Sequence, residues 1–410
     1  MAKCKGNITN KIWVAIDVSK HKHDVLIEYP NGSRKSLIIK QTQEDFERLS
    51  SRLMQEKTEV IIGFEATGYY HRLLAYYLLK KQFTVKLISS IATARTRESQ
   101  YNSTDKNDKK DTLVIMYLLK SGITQHYYDP LINNILEVQE LSNTYRTVSL
   151  RKTKLQHSIL NHYLPLYFPE AEKYFCSTRA NWFAKFFYEF PCPLAITQYS
   201  MEEFIKKSSG LAGRKVDKRN WLKDVYKTAE NSIGLPVAPN NKTIDMFKVT
   251  LNDFSQLCSL RANIEQQIDD YLFGNDDYHR LKTVPGIGPI IAVTILSEAG
   301  NIRRFGHVRQ FLKFCGFDLK TKQSGTFRGK STLSKRGNAD LRKMFWLAST
   351  IALRMRENTF RKKYENYIKE SPKNADIKRK AYVAIAAKMA RVVYSMITHN
   401  TDYYCTHESQ

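Results

Sequence analysis

The chain lacks the features that mark several classes of protein. Its cysteines are scattered and form no C-x-x-C pair: Cys4, Cys176, Cys192, Cys258, Cys315 and Cys405. This spacing argues against a zinc ribbon and a disulfide scaffold, and it fits a reducing cytoplasm. No phosphate-binding loop of the Walker type is present, so ATP is not expected as a cofactor.

Long uninterrupted apolar runs are also missing. The first residues, MAKCKGNITNK, are polar and do not resemble the apolar core of a signal peptide. The most apolar stretch, 381–397, is broken by Lys388 and Arg391, so no segment is expected to span a bilayer. We therefore expect no membrane partner.

Acidic residues are scarce relative to basic ones. The chain has 65 Lys and Arg against 40 Asp and Glu, a formal charge of +25. A surface of this sign attracts polyanions through phosphate neutralisation and counterion release. The basic residues are spread along the chain instead of forming one amphipathic segment, which favours nucleic acid over an acidic membrane as the partner. The 410 residues are enough for two or three domains.

The first 125 residues predict alternating strands and helices. Residues 11–18 are almost continuously apolar, as in a strand buried on both faces. Two further strands, 23–29 and 33–40, flank Pro30-Asn31-Gly32, a hairpin signal. A helix capped by Thr42 follows. The remaining predicted elements are a strand at 59–64, a helix at 70–80, a strand at 83–88 and a helix ending near Gly122. This order is that of a ribonuclease-H-like α/β domain.

The rest of the chain predicts mainly helices. Residues 126–278 carry apolar residues at three- and four-residue steps on both sides of an insert at about 166–240, which suggests a helical hairpin or coiled coil. Aromatic residues of the insert are interpreted as core, with a stacking surface for unpaired bases as the alternative. Residues 279–410 form a small, mostly helical domain. Its stretch 301–345 is strongly basic.

Acidic residues follow the predicted strands and open a predicted helix. Asp17 ends the first apolar strand, and Glu65 ends the strand at 59–64. Asp105, Asp108 and Asp111 are spaced by three, so they share one helix face. Carboxylates gathered at one end of a sheet suit Mg²⁺ or Mn²⁺ in phosphoryl transfer. For each acid alone, a helix-dipole or loop role is an equally good explanation.

A second motif lies in the basic C-terminal stretch. Ser324 precedes a glycine and stands among cations, where its hydroxyl could meet a phosphate whose charge they offset. A Ser-Gly pair by itself usually indicates only a turn. The surrounding cations are Lys322, Arg328, Lys330, Lys335 and Arg336.

Several motifs together resemble a known family, the DEDD-type insertion-sequence transposases, also described as bridge-RNA-guided recombinases. In the first domain the resemblance is carried by Ala15-Ile-Asp-Val-Ser-Lys, Phe64-Glu-Ala-Thr-Gly-Tyr and Lys106-Asn-Asp-Lys-Lys-Asp. In the last domain it is carried by Val284-Pro-Gly-Ile-Gly-Pro, Phe305, Gln323-Ser-Gly and Ser334-Lys-Arg-Gly-Asn. The middle insert contributes nothing to it.

The resemblance implies a role for each candidate residue. It implies a RuvC-like domain whose metal-binding and catalytic acids are Asp17, Glu65, Asp108 and Asp111. Ser324 would be the catalytic nucleophile that forms a phosphoserine bond to DNA. The family usually has alanine where this chain has Thr112, so Asp105 paired with Asp108 is an alternative to Asp108 with Asp111.

The resemblance also implies partners. These are donor and target DNA, a structured noncoding guide RNA, and further copies of the chain in a homodimer or homotetramer, in a cytoplasmic, nucleoid-associated setting. Neighbouring phosphates would be bound by Arg328, Lys330, Lys335, Arg336 and Arg342. Two alternatives remain: a RuvC-like nuclease or junction resolvase that activates water, and a nucleic-acid-binding protein with a decayed catalytic site.

Overall fold

The computed structural model describes residues 11–56, 58–66, 68–101, 108–176, 180–211, 218–320, 323–324, 327–329, 331–334, 336–356 and 358–404. For residues 108, 109, 323, 324, 327 and 328 it describes the backbone alone. The chain divides into two compact units, Met1–Asn134 and Ile135–Gln410.

The first unit is a mixed α/β domain. Its strands are β1 (Lys11–Val18), β2 (Lys22–Glu28), β3 (Arg34–Lys40), β4 (Glu59–Glu65), β5 (Thr84–Ile88) and β6 (Gln125–His126). Its helices are α1 (Gln43–Gln55), α2 (His71–Lys80), α3 (Ser90–Tyr101) and α4 (Asp108–Lys120). The sheet order is β3-β2-β1-β4-β5-β6, in which β1, β4 and β5 are parallel to one another and the remaining pairs are antiparallel.

Helices cover the sheet on both faces. Successive side chains of a strand point to opposite faces, so one strand contributes to the core on each side. In β1, Ile12, Val14 and Ile16 pack on one face with residues of α1 and α2. Trp13 and Ala15 pack on the other face with residues of α4. The near-continuous apolar run of β1 therefore supplies two cores at once.

The predicted elements of this unit occur in the expected order, with two additions, the helix α3 and the two-residue strand β6. Thr42 caps α1 as predicted, accepting a hydrogen bond from the backbone N–H of Asp45 at 3.4 Å. After β5 the sequence predicts one helix, whereas the structure has two, α3 and α4. The apolar pattern of 113–119 is strong enough to indicate α4, but α3 has only one buried residue, Thr93, and gives no such signal.

The second unit is largely helical. Its helices are α5 (Leu136–Ser158), α6 (Leu164–Tyr167), α7 (Ala180–Glu189), α8 (Pro193–Thr197), α9 (Met201–Ser208), α10 (Lys218–Glu230), α11 (Lys242–Tyr271), α12 (Asp276–Thr283), α13 (Pro289–Ala299), α14 (Val308–Phe314), α15 (Ala339–Ala352), α16 (Thr359–Ile368) and α17 (Ala375–His399). Its strands are β7 (Leu319–Lys320), β8 (Gln323–Ser324), β9 (Phe327–Arg328) and β10 (Thr332–Leu333), paired antiparallel as β10 with β7 and β8 with β9.

Helix α11 connects two hydrophobic cores of the second unit. Its first half packs with α6 to α10 through residues such as Phe247 and Phe254. Its second half packs through Ile264 and Ile268 with α5 and the helices α12 to α17. Tyr145 of α5 fixes this second half, because its hydroxyl donates to Glu265 at 2.8 Å. The second half of α11, helix α5 and the C-terminal helices α12 to α17 therefore share one hydrophobic core.

Three phenylalanines of the insert belong to its core, whereas Tyr188 is 41% exposed. Phe183, Phe186 and Phe187 are fully buried in the cluster formed by α6 to α10 and α11. The ring centroids of Phe183 and Phe187 are 4.4 Å apart. These three rings stabilise the insert by packing, which confirms the preferred interpretation and leaves them no face for stacking with bases.

Helix α17 is the one described segment that is long and apolar enough, by length and composition, to cross a membrane. The sequence expectation, which rested on Lys388 and Arg391, did not allow for such a segment. In the structure its apolar residues, among them Ile385, Met389 and Val393, are buried in the core that α17 shares with α12 to α16.

Candidate functional site

Two of the predicted acids lie side by side at one end of the central sheet. Strands β1 and β4 are adjacent and parallel, and their register pairs Ala15 with Gly63 and Ile16 with Phe64. Asp17 and Glu65 are the next residues of the two strands, so their Cα atoms lie at the same level at the carboxyl end. Side chains at one level of adjacent strands point to the same face.

That face is the one covered by α4. Asp17 lies two residues after Ala15, and Glu65 lies four after Ile61, both of which pack with α4. A Cβ at Gly63 would lie 2.8 Å from a methyl group of Leu119 in α4. Glycine at 63 therefore lets the helix approach β4 closely, directly beside the two acids.

The direction of α4 places its amino end at the acidic end of the sheet. Its last residue, Lys120, donates to Glu28, which stands opposite Trp13 near the amino end of β1. Burial tends to raise the pKa of Glu28, but hydrogen bonds from Lys120 and Arg34 outweigh it and lower the pKa below its ordinary value. With its carboxyl end anchored there, α4 runs back along β1, so the helix begins near Asp17 and Glu65.

Asp111, in the first turn of α4, is held by an arginine that the sequence did not point to. The residue is 2% exposed, and its Oδ1 accepts a hydrogen bond from Nε of Arg97 in α3 at 2.6 Å. Buried carboxylates need such a partner because removal from water is costly. The arginine offsets the charge of Asp111 and fixes the position of this carboxylate oxygen. Arg97 was not identified from the sequence because α3, the helix that carries it, was not predicted.

A further carboxylate, Asp24, stands opposite Asp17. The two are direct partners in the antiparallel register of β1 and β2. Carboxylates so placed repel each other, and Lys22 lies 3.9 Å from Asp24 on the same strand. Asp24 could have been identified from the sequence, because the short connection between Val18 and His23 fixes which residues of the two strands face each other.

These residues suit a hard divalent cation by their chemistry, since carboxylate oxygens are the ligands that Mg²⁺ and Mn²⁺ prefer. Within the described part of the chain, no three His, Cys, Asp or Glu side chains are close enough together to hold a metal ion. The side chain of Asp108 and all of Asp105 lie outside the described residues. The choice between Asp105 and Asp111 therefore stays a prediction.

The predicted nucleophile lies in a two-stranded antiparallel sheet of the second unit. Ser324 ends β8, and its backbone pairs with Phe327 of β9. The side chains of Ser324 and Arg328 are not among those described, and Lys322, Lys330 and Lys335 lie outside the described residues. Their roles remain predictions.

Two of the predicted phosphate-binding arginines are described. Arg336 is exposed, and its backbone N–H donates to the Ser334 hydroxyl at 3.3 Å. Arg342, in α15, packs its guanidinium against Gly316, where any side chain would overlap with it. Gly316 has φ +77°, a conformation that glycine adopts without strain. Arg336 is thus available at the surface, whereas Arg342 is half-buried against a turn.

The Pro285-Gly-Ile-Gly turn connects α12 to α13, and from its sequence it resembles a helix-hairpin-helix phosphate grip, with tight-turn packing as the alternative explanation of its glycines. Gly286 has φ +88° and lies against the backbone of α15, so packing explains this glycine. Gly288 is the N-cap of α13, has no neighbour within 4 Å of a would-be Cβ, and has no side chain to cap the helix. Packing therefore does not explain the second glycine, and phosphate binding there stays a prediction.

Comparisons with known proteins match two parts of the chain. Residues 14–169 match the family model of the DEDD-type IS110 transposase domain. Residues 278–365 match the model described as the transposase IS116/IS110/IS902 family. The two models correspond to the parts of the chain that hold the acidic edge and the basic C-terminal region.

Curated relatives share part of this region. The chain is similar to a transposase for insertion sequence element IS1111A of Coxiella burnetii, 28% identical over 144 residues, covering 35% of this chain and 39% of that protein. It is also similar to a probable family 20 transposase of Pseudomonas aeruginosa, 29% identical over 145 residues, covering 35% of this chain and 41% of that protein. The matches span about two fifths of each relative's length.

Among solved structures, T. thermophilus RuvC in complex with a Holliday junction substrate is 9% identical, covers 28% of this chain and 99% of that chain, and has a TM-score of 0.21. A likeness at this TM-score carries no weight for function.

The two family models match in sequence order and together cover more than half of the residues. The chain therefore belongs to the IS110/IS116 family of insertion-sequence transposases.

Proposed function

We propose that this protein cuts and rejoins DNA strands as the transposase of an insertion sequence. The observation that carries the proposal is the placement of Asp17 and Glu65 at one level on adjacent parallel strands, under the helix that begins with Asp108. Membership of the IS110/IS116 family and the +25 charge support DNA as the substrate.

The acids would bind Mg²⁺ or Mn²⁺. Asp17, Glu65 and Asp108 would be ligands in this proposal, with Asp111 or Asp105 as the fourth. A divalent cation held there would polarise the scissile phosphate and lower the pKa of the attacking hydroxyl. Arg97 would orient Asp111, because one carboxylate oxygen is already engaged by the guanidinium.

The finer proposal assigns the attack to Ser324. Its hydroxyl oxygen would form a bond to phosphorus and lose its proton to solvent, while the bond from phosphorus to one deoxyribose oxygen would break and that oxygen would take a proton from solvent to leave as a hydroxyl. The phosphoserine bond would then be attacked by a deoxyribose hydroxyl of another strand, which restores the serine. Arg328, Lys330, Lys335, Arg336 and Arg342 would bind the flanking phosphates.

Two further partners belong to the proposal. A structured noncoding RNA would select donor and target DNA by base pairing, and the chain would act as a homodimer or homotetramer. The excess of basic residues supports binding of several polyanionic strands at once.

The metal half of the proposal is tested by strand cleavage. The purified full-length protein would be incubated with the element's own end sequences, its noncoding RNA and Mg²⁺. Asp17→Asn and Glu65→Gln should abolish cleavage. The matched control is Glu59→Gln, at the opposite end of β4, where Glu59 pairs with Lys11 at 2.9 Å on the surface. Normal cleavage by Asp17→Asn would refute the acidic site.

The serine half is tested by trapping the intermediate. A denaturing gel should show protein covalently attached to one cut strand, and mass spectrometry should place the phosphodeoxyribose on Ser324. Ser324→Ala should lose the adduct and all strand exchange. Cleavage without an adduct, retained in Ser324→Ala, would instead support the RuvC-like nuclease that activates water.

A further inference from the structure

Large side chains are exposed at the start of helix α2, in addition to those that the helix buries in the core of the first unit. His71, Leu74, Ala75 and Leu78 are buried beneath it. Tyr69 and Tyr70, which lead into α2, and Leu73 in its first turn are 60%, 38% and 63% exposed. These three residues, together with Arg72, are called here the tyrosine platform. Large side chains clustered outside a filled core mark a surface that binds something.

The tyrosine platform lies at the acidic end of the sheet. Glu65 is the last residue of β4, and the chain reaches Tyr69 within four residues, passing Gly68 at φ +52°. Two hydrogen bonds hold the platform in place. Nε2 of Gln41 donates to the carbonyl of Tyr70 at 3.3 Å, and the Arg72 N–H donates to the carbonyl of Tyr69 at 3.1 Å. The rings are therefore attached to the same end of the sheet as Asp17 and Glu65.

The chemistry of the platform suits a nucleobase. The guanidinium carbon of Arg72 lies 4.7 Å from the centroid of the Tyr69 ring, so it covers one face of the ring. Tyr69 remains 60% exposed beside this contact, which leaves ring surface for a flat partner. The Tyr69 ring can stack on the base of a nucleotide, and Arg72 carries the charge that attracts the phosphate of the same nucleotide.

The basic residues nearby extend this match. Lys20 is exposed in the turn between β1 and β2, and Lys22 is exposed at the start of β2, at the same end of the sheet as Asp17. An apolar protein partner would gain nothing from these cations, whereas an extended polyanion would be drawn along them. Bases inside a duplex are stacked on their neighbours and present only their edges, so a free base face requires an unpaired strand.

We propose that the tyrosine platform binds unpaired bases of a single nucleic-acid strand and leads that strand to the carboxylates at Asp17 and Glu65. This inference rests on the proposed function for the identity of the strand, but the binding itself can be measured without any cleavage. It identifies the substrate form at the acidic edge as locally unpaired.

The test measures binding of the full-length protein to a labelled 20-nucleotide single strand containing 2-aminopurine, and to the duplex of the same sequence. Tyr69→Ser with Tyr70→Ser should raise Kd for the single strand about 5- to 100-fold, the range of base–aromatic stacking. It should also remove the quenching of 2-aminopurine that stacking causes. Duplex affinity should stay unchanged.

Two control variants separate stacking from other effects. Tyr69→Phe keeps the ring and should retain both affinity and quenching. Tyr117→Ser removes a tyrosine of similar exposure, 51%, from α4 of the same unit and should change neither. Equal weakening of single strand and duplex, unchanged single-strand affinity, or a changed oligomeric state in the double variant would overturn the proposal.

A parallel variant keeps this inference distinct from the proposed function. Asp17→Asn should lose cleavage and still bind and quench the single strand. If Asp17→Asn cleaves normally, the proposed function fails while the stacking result stands. If the double tyrosine variant binds normally and Asp17→Asn is inactive, the tyrosine platform alone is refuted.

Discussion

The ion pair between Arg97 and Asp111 holds α3 against the first turn of α4. The side chains are 15% and 3% exposed, so neither can be solvated well if its partner is removed. The pair thus has two consequences, one for stability and one for the orientation of a predicted catalytic acid.

Replacing Arg97 by methionine should lower the free energy of unfolding of the first unit by about 3 kcal/mol or more, because a buried carboxylate is left without its partner. Asp111→Leu should cost a similar amount. The double variant should regain most of the loss, which a double-mutant cycle by urea unfolding measures. Additive single effects would show that the two charges do not stabilise each other.

His23, in β2, should make the first unit sensitive to acid. It is fully buried, stacks on Phe46 with centroids 6.3 Å apart, and has no hydrogen-bond partner on either ring nitrogen among the described residues. Burial lowers the pKa of His23 below its ordinary 6.5, outweighing the attraction of Asp24. The unfolded chain therefore takes up a proton that the folded chain resists.

The contribution of neutral His23 to the free energy of unfolding should be complete above about pH 7. It should fall as the pH drops through 6.5, the ordinary pKa of histidine in the unfolded chain, toward the lower pKa of His23 in the folded chain. Urea midpoints between pH 8 and pH 5.5 measure this loss. His23→Leu should flatten the curve, and part of the slope should remain because burial also lowers the pKa of His71. An unchanged slope in His23→Leu would contradict the assignment.

At the scale of elements, the turn between α12 and α13 depends on one glycine and tolerates change at the other. Gly286 has positive φ, and a Cβ there would overlap with the carbonyl oxygen of Ala348 and lie 2.8 Å from the backbone nitrogen of Ala352. Gly288 has φ −97° and open space around it. The two positions form a matched pair within one motif.

Gly286→Ser should destabilise the second unit by at least about 2 kcal/mol, because it combines a disfavoured backbone conformation with contact against backbone atoms that cannot move away. Gly288→Ser should be neutral or stabilise by up to about 1 kcal/mol, since serine caps a helix that has no side-chain cap. Thermal unfolding of both variants gives the comparison. Equal losses would mean that packing against α15 is not the cause.

The strands and helices that the sequence predicted share one property: their apolar residues follow a regular period. The double-sided pattern of β1 and the cap at Thr42 could be read directly. Helix α3 could not, because it buries little and has no apolar stripe. Arg97 was missed for the same reason, since its function depends on α3 lying against α4.

At the scale of the whole molecule, the +25 charge predicts strongly salt-dependent binding of DNA. Affinity for duplex should fall about 10³-fold or more between about 50 and 200 mM salt if six or more phosphates are neutralised. Arg336→Gln should reduce the slope of log Kd against log salt by about one. The control is Arg219→Gln, whose arginine is exposed beside Glu202. A slope equal in both variants would argue against phosphate contact by Arg336.

The sequence by itself determined the apolar strands and helices of the first unit, the basic charge and the acids at strand ends, because these depend on local periodicity and composition. It did not determine that Asp24 faces Asp17, that Arg97 binds Asp111, or that Tyr69 and Tyr70 lie outside the filled core. Each of those facts is a relation between different strands and helices, and only strand register and helix packing in the folded chain decide such relations.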